Sequence, residues 1–542
     1  MRRRTFKAAV LATFLLGVVL RLPTFARPML SDDEAIYATT ADAMARGDLL
    51  YRDVVDHKPP LIYHLYRAGF AALGPYNTHG AHALVILAVL LTAGLLFAIK
   101  RREASAGGEG PALAAAGLFL VFSTTWHDYD ALAANCELFL LVPQAAAAWL
   151  LLRDLRRTPL PNPLPASRGE GIGGIGGIGG HLAVGVLIGT SALFKYQGLT
   201  FLGASIGMLI WWALLGRASW SWATVRAACH LVGALLPPVL YLSWCAAAGN
   251  DAAALYWFKF NFAYVGAGLT GFAAIARGLR RTLLIGGVAL VPYALGVAAA
   301  VAATVRMRGV IRRRPDADAP PPSVVLGLLW LATSAIAVAS GGRFFGHYFH
   351  LILAPLCLLA APAFSRLWMQ GWSRRAPLVA LCALPALLFF FLATVGRPLA
   401  AKLDEREPHY DQVAARIAAL TAVDERIFVW GNSPQLYVLA RRPMGARFSF
   451  CNYMTGESPG TPTETGRRDA DANQLPAAWE MLFADLERRR PALFVDAAAA
   501  GWDGYGKYPL ARYPRLRAYV DQHYGPTEVS AGVVMYRRLP SM

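Results

Sequence analysis

Long apolar blocks, one after another, constrain this chain more than any other feature of its sequence. A helix that crosses a bilayer needs about 20 mostly apolar residues. Candidate spans of that kind lie at 6–22, 80–99, 111–126, 136–152, 181–196, 198–216, 228–248, 283–304, 323–340, 348–365 and 376–395. The pair 181–196 and 198–216 is short and barely separated. Composition agrees: 56% of the residues are hydrophobic and 16% are charged, against about 25% charged in soluble domains. The blocks predict a polytopic α-helical membrane protein of about eleven transmembrane helices.

The charges lie between the blocks. Arg2-Arg3-Arg4, Lys100-Arg101-Arg102, Arg153 with Arg156-Arg157, Arg306 to Arg314 and Arg374-Arg375 are short basic clusters. With the N-terminus in the cytoplasm and the spans alternating, all of them fall on the cytoplasmic side, as the positive-inside rule requires. The net charge of +18 is therefore a topology signal, and no nucleic-acid partner is expected. The outside segments become 23–79, 127–135, about 195–197, 249–282, 341–347 and everything after 396. The basic-then-apolar N-terminus resembles a signal peptide, but Arg21 follows the apolar run without a small-residue cleavage site, so it reads as an uncleaved first helix. The six cysteines form no CxxC pair and read as small hydrophobes.

Two segments read as spacers without chemistry: 158–180, rich in Pro and then Gly, and 315–322. Past 396 the composition turns soluble. Val413, Ile417 and Leu420 mark an amphipathic helix; ERIFVWG and PALFVDA read as short buried strands with the helix WEMLFADLERRRP between them. That order predicts a small α/β domain over 397–542, lying outside and following a multi-spanning domain over 1–396. Trp430, Tyr437, Trp502, Tyr505 and Tyr508 in it are either core residues or a surface for stacking sugars.

The outside segments hold the polar chemistry. The first contains Ser31-Asp32-Asp33-Glu34, then Tyr37, Arg52-Asp53 and Asp56-His57-Lys58-Pro59-Pro60. Consecutive carboxylates repel and raise at least one pKa, which suits a general base or a cation site; the plainer reading is a helix N-terminus that favours negative charge. The second carries His127, Asp128, Asp130, Asn135 and Glu137, the last two at the mouth of an apolar helix, where an unpaired carboxylate is costly. Lys195 lies between two spans, and Arg343, His347 and Tyr348 lie in the loop before another. Lys195 alone could be a snorkelling lysine. Together, Lys58, Lys195, Arg343 and His347 describe an electropositive socket beside a carboxylate cluster, suited to a phosphate on a lipid. No Walker A sequence occurs, and no GxGxxG with its strand–helix context, so no nucleotide site is expected.

The ordered set DEAIY (33–37), Gly47-Asp48 to Tyr51, HKPPLIYHL (57–65), NCELFLLVP (135–143), FKYQG (194–198) and GRFFGHYFHLILAP (342–355) resembles the GT-C superfamily of lipid-linked-sugar glycosyltransferases. The branches in question are the bacterial relatives of the protein O-mannosyltransferases and the lipid A aminoarabinose transferase. The likeness covers about 1–365. It implies transfer of a sugar from a polyprenyl phosphate to an acceptor hydroxyl outside, usually with inversion. Carried over, Asp33 is the catalytic carboxylate with Glu34 beside it, Lys58 binds the donor phosphate, and Arg343, His347 and Tyr348 match a late motif near the phosphate or lipid. Asp32 is an extra acid, so the base is Asp32 or Asp33. The aminoarabinose-transferase branch has an acid immediately before KPP, where this chain has His57; a metal site is not carried over, and a divalent cation is left open. Expected partners are the lipid-linked donor, a hydroxyl acceptor on a lipid, glycan or protein, and membrane lipids, in a bacterial inner membrane. The competing classes are a secondary transporter, disfavoured because the charges gather at one face and no inverted repeat is visible, a non-catalytic glycan-binding assembly protein, and a ligase that moves whole glycans.

Overall fold

The structure, a computed structural model, describes residues 3–103, 109–125, 131–156, 176–266, 268–313, 319–396, 398–399, 409–457 and 470–540. Helices dominate. In chain order they are α1 (Arg3–Arg21), α2 (Asp32–Ala45), α3 (Leu61–Leu73), α4 (His79–Glu103), α5 (Glu109–Phe122), α6 (Cys136–Leu155), α7 (Gly176–Phe194) and α8 (Thr200–Leu214). They continue with α9 (Trp220–Ala247), α10 (Asp251–Gly266), α11 (Gly271–Val288), α12 (Leu290–Arg313), α13 (Pro322–Ala339), α14 (His350–Met369) and α15 (Trp372–Phe391). Ten helices among the described residues are long and apolar enough to cross a membrane. The expected span at 111–126 is the shorter apolar helix Glu109–Phe122. The protein is thus the multi-pass helical membrane protein that the apolar blocks predict.

Two details differ from the sequence reading. The stretch 249–282, read as an outside segment with no helix marked in it, holds α10 and most of α11. The span expected at 283–304 runs over Leu290–Arg312, because α11 continues to Val288 and the helix breaks at Ala289. Hydropathy is continuous across that break, so apolar pattern alone cannot locate it.

By internal contacts the chain forms two units. One comprises Met1–Thr24, Val85–Trp244 and Phe272–Gly396; the other comprises Phe25–Leu84, Cys245–Gly271 and Arg397–Met542. The first is the helical bundle. Leu235, Val239, Leu240, Val301, Val305, Leu384 and Leu387 on α9, α12 and α15 are all more than half exposed. Such apolar faces are stable in lipid and not in water. Inside the bundle α7 and α9 meet backbone to backbone: a Cβ at Gly185 would lie 2.4 Å from the His230 carbonyl oxygen and 2.8 Å from the Gly233 Cα. Small residues permit this approach. At the end of α1, the buried Arg21 donates to the carbonyls of Ser123 (3.1 Å) and Ala131 (2.9 Å), which ties the segment before α6 to α1.

The second unit contains a four-stranded sheet of order β1-β2-β4-β3: β1 (Ile427–Trp430), β2 (Leu493–Asp496), β3 (Tyr524–Ser530) and β4 (Val533–Arg538). β1 and β2 are parallel, in the register Ile427↔Leu493 to Trp430↔Asp496, and both are buried throughout. That is why they read as continuous apolar runs. The helix Pro476–Arg489 connects them, and Val413 and Ile417 of the helix Tyr410–Leu420 are buried as their spacing predicts. The β3–β4 hairpin turns through Ala531 (φ 48°) and Gly532 (φ 81°), a two-residue turn with both residues left-handed, which matches strand twist. The segment 46–58 is sewn into this unit. Val55 N donates to the Arg447 carbonyl at 2.9 Å, Arg489 pairs with Asp48 at 3.1 Å, and Asn250 and Trp257 of the α10 region donate to the Leu50 and Tyr51 carbonyls at 2.6 and 3.1 Å.

Candidate functional site

The acidic run SDDE opens a helix. Ser31 is its extended N-cap, and its hydroxyl accepts from Glu34 N at 3.4 Å, with all three carboxylates in the first turn of α2. A helix N-terminus favours negative charge there, so the plainer reading of the run is part of the answer. The helical step of about 100° per residue sends the three side chains in different directions. Glu34 points inward and is fully buried. Its Oε2 accepts from Leu30 N at 2.6 Å and its Oε1 lies 3.0 Å from His82 Nε2. Asp32 is exposed and accepts from Gln435 Nε2 at 2.6 Å. Asp33 lies between these extremes, with its side chain 26% exposed. Its Oδ1 is 2.6 Å from Lys58 Nζ, and its Oδ2 accepts from the Tyr37 hydroxyl at 3.2 Å.

Lys58 is placed by the two prolines that follow it. Proline disfavours helical backbone in the preceding residue, and α3 starts immediately after Pro60. The Tyr51 hydroxyl donates to the Lys58 carbonyl at 2.9 Å. The ammonium lies 4.6 Å from the centre of the Tyr37 ring, a cation–π contact that adds to the Asp33 ion pair. Next to it, Asp56 is buried and accepts from the Tyr63 hydroxyl and from His57 N, both at 2.7 Å. Burial alone would raise the Asp56 carboxyl; the neighbouring His57 and Lys58 and the Tyr63 hydrogen bond outweigh it and hold the carboxyl below its ordinary range. His57 Nδ1 lies 3.0 Å from Asp56 Oδ1 and 3.3 Å from the Tyr453 hydroxyl. The His57 carbonyl accepts from Asn261 of α10.

The membrane unit holds a second polar cluster. Glu137, in the first turn of α6, is buried and pairs with Lys195. Lys195 reaches it because the chain is extended (φ −160°, ψ 137°) between α7 and the next helical turn. Its ammonium also lies 3.9 Å from the centre of the Tyr348 ring. His347 Nε2 is 3.9 Å from the same Glu137 oxygen. Arg343 is buried in the link between α13 and α14, where Gly341 (φ 77°), Gly342 (φ 64°) and Phe344 (φ 49°) take left-handed backbone. Asn135 is fully buried at the N-cap of α6, and neither polar atom of its amide has a partner among the described residues.

Of the residues singled out in the sequence, the structure brings Asp33 to Lys58 in one unit, and Glu137 to Lys195, His347 and Tyr348 in the other. The socket cations are therefore engaged with carboxylates: Lys58 with Asp33 and Lys195 with Glu137. The DE pair divides, with Asp33 partly exposed and Glu34 interior. Asp128 and Asp130 lie outside the described residues. Among the described residues no group of three or more His, Cys, Asp or Glu side chains is placed to hold a metal ion. Sequence reasoning did not find His82, Gln435 or Tyr453. They lie 48, 403 and 396 positions from their partners, and no local pattern announces such contacts.

No family model matches the sequence, and no curated protein matches it. Solved structures do. The chain is similar over 99% of its length to ArnT from Cupriavidus metallidurans bound to undecaprenyl phosphate, covering 98% of that chain at 16% identity with a TM-score of 0.60. It is also similar over 98% of its length to the oligosaccharyltransferase AglB from Archaeoglobus fulgidus in complex with an inhibitory peptide and a dolichol-phosphate. That match covers 74% of the AglB chain at 12% identity, with a TM-score of 0.51. A further structure of the Archaeoglobus fulgidus oligosaccharyltransferase, in complex with Zn and sulfate, matches at 13% identity over 98% of this chain and 73% of that one, with a TM-score of 0.50. Both proteins are of the GT-C superfamily. At these identities the likeness is one of fold, and this chain has the GT-C fold, with a small sheet-containing C-terminal region.

Proposed function

We propose that the protein is an integral membrane glycosyltransferase that moves a sugar from a polyprenyl-phosphate donor to an acceptor hydroxyl, with Asp33 as general base. The observation that carries this reading is the Asp33–Lys58 pair at 2.6 Å. It sets a partly exposed carboxylate next to a cation, in a fold shared with a protein crystallised on undecaprenyl phosphate. Asp32, held by Gln435 Nε2, stands next to the base, and Glu34, bound to His82 and Leu30 N, is a positioning group in this scheme.

The chemistry follows from the charges. A sugar hydroxyl is a weak nucleophile. As its oxygen attacks the anomeric carbon, Asp33 takes its proton, and the bond from that carbon to the phosphate oxygen breaks. The donor phosphodiester becomes a polyprenyl phosphate monoester and gains a negative charge, which the Lys58 ammonium stabilises. Before the donor arrives, Lys58 and Asp33 neutralise one another. A donor phosphate that draws Lys58 to itself leaves Asp33 available as the base. Attack from the face opposite the phosphate gives inversion. In the membrane unit, Arg343, His347 and Tyr348 are kept as candidates for an anionic or lipid group, and Lys195 is assigned to holding Glu137. In this reading the first loop and the C-terminal region lie on the outer face and the N-terminus in the cytoplasm, as the distribution of basic clusters suggests.

The test uses the purified full-length protein and Asp33→Asn, each incubated with a panel of polyprenyl-phosphate monosaccharides and a membrane extract. Mass spectrometry follows donor loss and product gain. Consumption of one donor by the wild type and not by Asp33→Asn supports both the reaction and the base. Equal activity of the two proteins moves the base to another residue, with Asp32 first. No consumption of any donor refutes the transferase reading.

A further inference from the structure

The loops at the carboxyl ends of the parallel strands β1 and β2 carry side chains that the transfer chemistry above does not use. Open α/β sheets hold ligands at this end of their strands. After β2 the chain makes a tight turn in which Asp503 (φ 52°) stands between Gly501 (φ 72°) and Gly504 (φ 74°). A non-glycine residue in the left-handed region costs free energy that the surrounding contacts must offset. This turn sets the Trp502 ring edge-on to Tyr410, with centroids 5.0 Å apart. The Tyr410 hydroxyl donates to Asp503 Oδ2 at 2.8 Å. Burial, and then the carboxylates of Asp503 and Asp32, raise the Tyr410 phenol above its ordinary value and keep it neutral.

After β1 comes Gln435, whose Nε2 donates to Asp32 Oδ1 at 2.6 Å. The amide cannot turn over, because its oxygen would then face a carboxylate oxygen. Gln435 is 8% exposed, and its Oε1 has no partner among the described residues. Of the five aromatic residues that the sequence offered for sugar stacking, Trp430, Tyr437, Tyr505 and Tyr508 are in the core, while Trp502 is half-buried.

We propose that Trp502, Tyr410, Asp503, Asp32 and Gln435 form a subsite for a sugar ring. Trp502 supplies an apolar plane for the C–H face of the ring. Asp32 and Asp503 accept from ring hydroxyls, and Gln435 Oε1 accepts a hydrogen bond from one further hydroxyl once the ring enters. Few polar groups around an aromatic plane are what orient a polyhydroxylated ligand. Because Asp32 adjoins Asp33, the ring belongs to the acceptor; that assignment alone rests on the transferase reading.

The full-length protein in lipid nanodiscs is tested for retention of an array of methyl pyranosides and short glycans, and in a second arm for binding of polyprenyl-phosphate monosaccharides. Trp502→Ala and Asp503→Asn are compared with the wild type. Asparagine tolerates the left-handed backbone and still accepts from Tyr410, so Asp503→Asn keeps the turn. The wild type retains a subset of the sugars, and each variant weakens retention by about tenfold or more. Loss in the free-glycan arm assigns the ring to the acceptor, and loss in the donor arm alone assigns it to the donor; both support a sugar-ring subsite. No retention by the wild type in either arm, or equal retention by the variants, overturns it. Binding needs no turnover, so intact retention beside a failed transfer assay refutes the transferase reading alone.

Discussion

Replacing Lys58 with methionine removes the ammonium and keeps an unbranched apolar stem that reaches as far as the lysine Cε. The Lys58 side chain is 12% exposed and that of Asp33 is 26% exposed, so the charge acts in a medium between water and a dry interior. At an effective dielectric constant of about 20, unit charges about 3 Å apart interact by roughly 5 kcal/mol. Only part of a charge develops on the departing phosphate in the transition state, which leaves about 3 to 4 kcal/mol. That corresponds to a loss of about 10² to 10³ in kcat, the range found when a single oxyanion-stabilising group is removed. Folding should change little: methionine packs on the Tyr37 ring, and Asp33 keeps the Tyr37 hydroxyl and its access to water. The assay is donor consumption at saturating donor, followed by mass spectrometry, with the thermal midpoint of each protein as the control for folding. Lys58→Arg keeps the charge but spreads it over a planar fork, so it should recover only part of the rate. A Lys58→Met protein within threefold of the wild-type kcat, with an unchanged thermal midpoint, would refute the role given to this lysine.

Other perturbations have equally definite signs. Breaking the buried Glu137–Lys195 pair with Lys195→Met alone should cost about 3 to 5 kcal/mol, while the double substitution Glu137→Gln/Lys195→Met should restore most of that stability; a denaturant titration of all variants measures it, and an additive double mutant contradicts the pairing. Glu34→Ala strips the partners from Leu30 N and His82 and should lower the thermal midpoint, whereas Asp33→Asn should lower activity with the midpoint nearly unchanged. The Asp496 carboxyl is pushed up to about 6 from the ordinary aspartate range by burial, against hydrogen bonds from the backbone of Ala499 and Ala498. Its folded-state pKa is raised, so the protonated form favours the fold below about pH 4, and that contribution is lost as pH rises through 6. Asp496→Asn should therefore be more stable than the wild type at pH 8, by up to about 3 kcal/mol, and the gain should vanish near pH 4; a gain independent of pH would contradict the sign.

The class of solvent this chain requires, the approximate places of its membrane helices and the carriers of charge can all be read from the chain without its fold. Those are properties of composition and short-range period, and the apolar blocks state them directly. β1, β2 and the helix between them were legible for the same reason: their burial makes them continuously apolar. The β3–β4 hairpin, with its Pro526 and partly exposed residues, offered no such run. The acidic segment at 32–34 was visible as a site candidate, but the separate fates of its members were not. Only the fold brings His82 to Glu34, Gln435 to Asp32 and Lys58 to Asp33, and so gives three adjacent carboxylates three environments. Likewise Trp502 and Trp430 are the same residue type in the same region, and only packing decides that Trp430 is core while Trp502 reaches the surface. Contacts between residues hundreds of positions apart depend on which elements share a face, and no local period records that.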